Sequence, residues 1–285
     1  MLPGEVRAQT VYGEAGAGFG TALAVRGERW IVSAPGGRDV PARVAVYDGD
    51  TPVAELARSS PVSVWFDGEE PTAAFAFDGV YRLLTGERLQ ETPDARLFAG
   101  GDGVAVSASE TQVRALDGRS WALERVQALA VGEERILALA CADGCQAYEL
   151  LDEPVLLGTA GELGRVGIWD GVAWWSDPEL ASADGAGVVM SEAGDRIEGL
   201  PGDHLGRSIG GGYAVGALNP NVAPVRARIA PLEAGAGWLA VDRARETRPL
   251  VLAGDDGWLL VGVPEVPAVE GLIGAVHRVE REALP

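Results

Sequence analysis

FGTALAVRGERWIVSAPGG, residues 19–37, holds two short apolar runs on either side of a polar turn. It ends on small residues, Ser33-Ala34-Pro35-Gly36-Gly37. HLGRSIGGGYAVGALNP, residues 204–220, repeats the pattern, with Leu205-Gly206-Arg207-Ser208-Ile209 lying over Phe19-Gly20-Thr21-Ala22-Leu23. Two copies so far apart make an internal repeat the first reading to test.

Taken as a template, the first copy predicts strands over 20–25, 29–34, 43–48 and 52–57. The same four-part rhythm continues through 61–93, 95–126, 127–161, 164–200, 205–245 and 249–279. That makes seven units of about 30–45 residues, a period typical of solenoids and propellers. The seventh lacks its outer strand, and residues 5–12, EVRAQTVY, form a strand with no unit of its own. The two defects cancel if the N-terminal strand completes the last sheet, which closes the ring and removes its open edges. The expected fold is therefore all-β: one seven-bladed β-propeller domain spanning residues 1–285, built of four-stranded antiparallel blades. Runs such as RILALA and WLLVGV are apolar throughout instead of alternating, as strands covered on both faces should be. No helical spacing is sustained over three turns.

Phe19-Gly20 followed by Val32-Ser33-Ala34-Pro35-Gly36 resembles the FG-GAP repeat of integrin α-subunit propellers and their bacterial relatives. Leu205-Gly206 with Val215-Gly216-Ala217 is a weaker copy, and Val261-Gly262-Val263-Pro264 keeps the second half only. The resemblance implies adhesion or recognition. It also implies an aspartate-rich calcium loop between the first two strands of a blade. The corresponding turns here include Arg26-Gly27-Glu28, Gly101-Asp102-Gly103, Gly210-Gly211-Gly212 and Gly254-Asp255-Asp256-Gly257. None supplies three carboxylates at alternating positions, and a hard cation needs six to eight oxygens. They read as tight hairpins, so no metal and no cofactor are expected. Asp48-Gly49-Asp50 reads as a turn between the third and fourth strands.

The chain carries 42 acidic and 23 basic side chains, a net charge of −19, and every basic residue apart from two histidines is arginine. Such a surface repels phosphate backbones and anionic lipid heads, so nucleic acid is not an expected partner. No apolar run reaches the length of a membrane span, and membrane insertion is not expected either. The N-terminus has no basic region followed by an apolar one, so a signal sequence is expected to be absent from this chain.

Gly206-Arg207-Ser208-Ile209-Gly210 matches the nucleophile-elbow pattern, which works on a strand-to-helix turn. Here Ser208 aligns with Ala22 in a strand, and the repeat accounts for it. His204 and His277 lie in no metal-binding spacing. The eight tryptophans fit blade packing better than a sugar platform, and adjacent Trp174 and Trp175 should point to opposite faces of one sheet. Cys141 and Cys145 face each other across a three-residue hairpin loop with Gly144 in the left-handed position. A disulfide, two free thiols and a metal pair all remain open, with the disulfide favoured. That bond implies an oxidising compartment and so an extracytoplasmic protein.

In each blade the loop between the second and third strands shares a face of the disc with the link to the next blade. Those loops are long at 35–42, 177–186, 219–225 and 264–270, in the contiguous first, fifth, sixth and seventh blades. Long loops on a rigid scaffold tend to carry binding residues. The predicted ligand-binding set is Arg38, Asp39, Asp177, Glu179, Asp184, Asn219 and Asn221, with His204 on the neighbouring link. No catalytic residue is assigned. The expected function is non-catalytic recognition or adhesion, by a monomer, of a protein or glycan ligand through this face. A propeller enzyme acting on glycans as a lyase or hydrolase in the central channel is the alternative, as is a scaffold domain of a larger surface protein.

Overall fold

The computed structural model describes residues 8–15, 17–37, 40–132, 134–180, 185–217, 225–233, 239–243, 250–268 and 271–284. They form seven four-stranded antiparallel sheets in a ring, a seven-bladed β-propeller. Blade 1 contains β2 (Leu23–Arg26), β3 (Arg29–Ala34), β4 (Arg43–Asp48) and β5 (Thr51–Ala57). Blade 2 contains β6 (Pro61–Asp67), β7 (Glu70–Phe75), β8 (Gly79–Arg82) and β9 (Arg88–Glu91). Blade 3 contains β10 (Leu97–Gly101), β11 (Val104–Ala108), β12 (Gln112–Ala115) and β13 (Ser120–Ala122). Blade 4 contains β14 (Val126–Gly132), β15 (Arg135–Ala140), β16 (Cys145–Leu150) and β17 (Pro154–Ala160). Blade 5 contains β18 (Val166–Trp169), β19 (Val172–Asp177), β20 (Val188–Ser191) and β21 (Arg196–Glu198). Blade 6 contains β22 (Ser208–Gly210), β23 (Tyr213–Ala217), β24 (Val225–Pro231) and β25 (Leu239–Arg243).

Blade 7 runs β26 (Val251–Gly254), β27 (Trp258–Ala268), β28 (Gly271–Glu280) and then β1 (Ala8–Ala15), so the N-terminal strand is its outer member. β1 pairs with β28 from Ala8 opposite Val279 to Ala15 opposite Ile273. Inside this closure Thr10 Oγ1 and His277 Nδ1 lie 2.9 Å apart, and burial pulls the imidazole below its ordinary pKa. The inner strands neighbour one another in the order β2, β6, β10, β14, β18, β22, β26 and back to β2, which is the ring itself.

Both faces of each blade are packed, which is why the strands read as unbroken apolar runs. On β3, Trp30 and Val32 join Leu260 and Val276 of blade 7, whereas Ile31 joins Val64 and Phe75 of blade 2. Trp174 and Trp175 divide in the same way, the first packing with Leu205 and Ala214 of blade 6, the second with Leu137 and Leu139 of blade 4. Trp65 and Trp121 are likewise buried, whereas Trp169 and Trp258 are half-buried and covered by the guanidinium groups of Arg281 and Arg278. Trp238 lies outside the described residues.

The two sequence copies fold alike at their lead-in turns. Gly20 (φ 93°) and Gly206 (φ 99°) both take the left-handed conformation that suits glycine. Each amide, with the one after it, donates to a single carbonyl on the next strand: Gly20 and Thr21 to Ser33 O, Gly206 and Arg207 to Val215 O. Ser208 sits in β22 opposite Val215, in a strand pair with no helix after it. One predicted loop is corrected. Residues 264–268 belong to β27, which continues to pair with β28 past a register shift to Ala268 opposite Gly271, whereas residues 269–270 lie outside the described residues.

Candidate functional site

The face carrying the loops between second and third strands is best defined at the junction of blades 5 and 6. Asp177 ends β19, and its Oδ1 accepts from the amides of Glu179 (3.1 Å) and Leu180 (3.0 Å). This turn presents the exposed Glu179, whose Oε1 lies 3.5 Å from His204 Nδ1 and 3.7 Å from Arg207 Nη2. His204 is held at φ 48° on the link into blade 6, with its amide donating to Gly185 O at 2.9 Å. Its ring packs on Gly185, where any Cβ would come within 2.5 Å of it. Gly187 and Leu205 form an isolated parallel bridge that fixes loop to link.

Beneath them Ser176 is fully buried. Its hydroxyl donates to Gly206 O at 2.7 Å and accepts from the Arg165 amide at 2.9 Å. The Arg165 guanidinium donates to Gly164 O (2.8 Å) and Leu163 O (3.3 Å). Desolvation, and then the nearby charge of Arg207, lower its pKa. The junction thus gathers Arg165, Arg207, His204 and the carboxylates of Asp177 and Glu179, a set that can hydrogen-bond a polar group.

Of the predicted ligand-binding residues, Glu179 and His204 are brought together here, and Asp177 serves the turn that presents Glu179. Arg38, Asp39, Asp184, Asn219 and Asn221 lie outside the described residues. Arg165 and Arg207 were not singled out from sequence. The available signal was positional, since each immediately precedes an inner strand.

A second concavity opens on the opposite face. A cavity of about 830 Å³ is bounded by inner strands and by their hairpin turns, including Arg26, Asp102, Asp255, Asp256 and Trp258. Three carboxylates of these hairpin turns are engaged across blades. Asp255 Oδ2 accepts from Gly27 N (2.6 Å), Asp67 Oδ1 from Gly103 N (2.8 Å), and Asp102 Oδ1 from Gly68 N (3.2 Å). Arg26 bridges to Glu69 (3.2 Å) and Asp102 (2.5 Å). Among the described residues no group of three or more His, Cys, Asp or Glu side chains is placed to hold a metal ion.

Cys141 and Cys145 form a disulfide (S–S 2.08 Å) across the hairpin between β15 and β16, with Cα atoms 4.0 Å apart and Gly144 at φ 103°. Both residues are buried.

With this geometry described, the architecture can be compared with solved structures. A chain in the crystal structure of the mitotic checkpoint complex matches with a TM-score of 0.54 at 12% identity, over 88% of this chain and 86% of that one. The computationally designed Ika8 protein matches at 0.53 and 16% identity, over 90% and 82%. Hsv2 of Kluyvelomyces marxianus matches at 0.53 and 9% identity, over 85% and 88%. At these identities the likeness is one of fold. No protein-family model matches the chain, and no curated protein sequence matches it.

Proposed function

We propose that this protein is a non-catalytic recognition propeller that binds a macromolecule or glycan through the face carrying Glu179 and His204, outside the cytoplasm. The observation that carries the reading is the junction of blades 5 and 6. There a loop carboxylate meets a histidine and an arginine from the next blade's link, above a buried serine that fixes both blades. Such a constellation on a closed ring is preorganised, so little ordering cost falls on binding. The matching lead-in turns at Gly20 and Gly206 favour an origin in FG-GAP-type repeats. The buried Cys141–Cys145 bond favours an oxidising compartment.

The test is a glycan and surface-protein array probed with the intact protein and with variants whose loops at 35–42, 177–186 and 219–225 are shortened. Binding lost on shortening, with melting temperature kept, supports the face; binding that survives sinks it. A channel enzyme is the second reading, favoured by the cavity of about 830 Å³ at the opposite mouth. Turnover of a glycan substrate that is abolished by Asp256→Asn would establish it in place of the first.

A further inference from the structure

Where β1 closes the ring, a cavity of about 330 Å³ lies between blade 7 and blade 1. Its floor is apolar, made of Phe19, Val32, Ala34 and Ala45. Val32 and Ala45 are direct partners on β3 and β4, so they share one face of blade 1. Opposite them β1 carries one extra residue between Tyr12 and Ala15, a bulge of the kind that re-aims side chains. Tyr12 and Glu14 at this bulge border the cavity, and Tyr12 is 60% exposed. Gly13 lets β1 approach so closely, since a Cβ there would lie 2.2 Å from Phe19 Cβ.

Four polar side chains border the same space without closing one another off. Arg43 Nη2 lies 3.3 Å from Glu14 Oε1, and its Nη1 lies 3.8 Å from Glu55 Oε1. Neither pair is joined by a hydrogen bond among the described residues. The trio at Arg135 differs, because there Nε and Nη1 meet Glu149 and Glu192 at 2.7 and 2.5 Å. The fourth group is Tyr47. Its ring stacks on Trp30 with centroids 4.2 Å apart, and its hydroxyl has no hydrogen-bond partner among the described residues. Burial raises the pKa of this phenol, while the nearby charge of Arg43 lowers it and that of Glu55 raises it.

We propose that this cavity binds one neutral sugar residue, a pyranose that lays its C–H face on the apolar floor and turns its hydroxyls to Glu14, Arg43, Tyr47 and Glu55. The balance of donors and acceptors carries the assignment. A guanidinium only donates, a carboxylate only accepts, and a phenol does either. A sugar hydroxyl both donates and accepts, so neighbouring hydroxyls can use all four groups. An anion would meet two carboxylates for one guanidinium, in a chain of net charge −19. A cation would meet Arg43. A wholly apolar ligand would cover four polar groups without partnering them, which is unfavourable. Ligand cavities run from about 300 to 1,000 Å³, so this one has room for a sugar ring and not for a folded partner. The site lies on other blades than Glu179 and His204, and it stands whether or not that face binds a ligand.

The test is ligand-observed NMR on the full chain with the methyl pyranosides of glucose, galactose and mannose, and with glucuronate and choline as charged comparisons. Expected is binding of at least one pyranoside with a Kd on the order of 1 mM, as suits a ligand of so few atoms. Tyr47→Phe and Glu55→Ala should each weaken it about tenfold, as for one hydrogen bond that involves a charged or half-buried group. Both variants should keep their melting temperature, because phenylalanine preserves the stack on Trp30 and Glu55 is exposed on an outer strand. Failure of all three pyranosides to bind overturns the inference, as does binding that neither substitution changes. Tighter binding of choline or of glucuronate overturns the assignment to a neutral sugar. Pyranoside binding that disappears when the loop at 177–186 is shortened, yet ignores Tyr47→Phe, belongs to the other face and overturns this site. Binding kept in the shortened-loop protein and weakened by Tyr47→Phe supports it, whatever the array shows for that face.

Discussion

At one mouth of the channel Asp67, Asp102 and Asp255 on the hairpin turns each reach an amide of another blade. At the other, arginines stand before four inner strands, and two of them meet no carboxylate among the described residues. The first arrangement uses charge to join blades. Arg135 adds to it by binding Glu149 of its own blade together with Glu192 and Gly171 O of blade 5. Arg278 joins blade 7 to Glu28 of blade 1, and Arg281 lies over Trp169 of blade 5 and donates to Gly211 O of blade 6. Identical scaffolding at both ends therefore carries two different arrangements: short turns fix neighbours, whereas longer loops and links carry the groups proposed to face a ligand.

The contrast breaks most visibly at Arg135. Its side chain is 20% exposed and its partners are 16% and 32% exposed, so removing it strands two partly desolvated carboxylates. Arg135→Met should cost about 3 kcal/mol, the low end for breaking a buried pair. Thermal melting checks this, and an unchanged midpoint would show that the clamp does not hold blades 4 and 5 together. Opening the disulfide with Cys141→Ala and Cys145→Ala should cost less, about 2 kcal/mol for so small a loop. Intact-mass analysis without reductant should find no free thiol in the parent protein.

Acid separates the mouths further. Arg135 and the Ala173 amide hold Glu192 down at about 2, against an ordinary 4.5. A depressed carboxylate stabilises the fold above its unfolded pKa, and that stabilisation fades as pH falls from 4.5 through 2. Denaturant midpoints should drop across this window, and Glu192→Gln should flatten the drop. A drop of the same depth in the variant would place the acid-sensitive group elsewhere.

Much of the ring was legible because it depends on local pattern. Period, turn glycines and the surplus N-terminal strand sufficed to predict seven blades and their closure, with β3 and β4 matching the expected 29–34 and 43–48. The sites were less legible because they depend on contacts between blades. Asp102 reads locally as part of a tight hairpin, yet its carboxylate meets Gly68 and Arg26 from two other blades. Arg165 and Arg207 are 42 positions apart in sequence, and only the ring sets their charges side by side. The loop expected at 264–270 differs for a related reason: β27 keeps its pairing with β28 past a register shift as far as Ala268, which depends on a partner strand and not on local pattern.

The smallest expected effects separate two arginines of similar chemistry. Arg26 pairs with Glu69 and Asp102, but all three side chains are substantially exposed, at 38%, 79% and 68%. Exposed pairs contribute about 0–1 kcal/mol, so Arg26→Ala should lower stability by no more than that. Among the described residues the Arg125 side chain makes no hydrogen bond or ion pair, and Arg125→Ala should leave stability within about 0.5 kcal/mol. The decisive measurement is a double-mutant cycle of Arg26→Ala with Asp102→Ala, at low and at high salt. Coupling of about 0.5 kcal/mol that fades with salt is expected of an exposed ion pair. Arg125→Ala combined with the same Asp102→Ala should show none, since independent sites add. Equal coupling for both arginines would mean that Asp102 senses only the general field of the chain, and the contrast between the two mouths would fall with it.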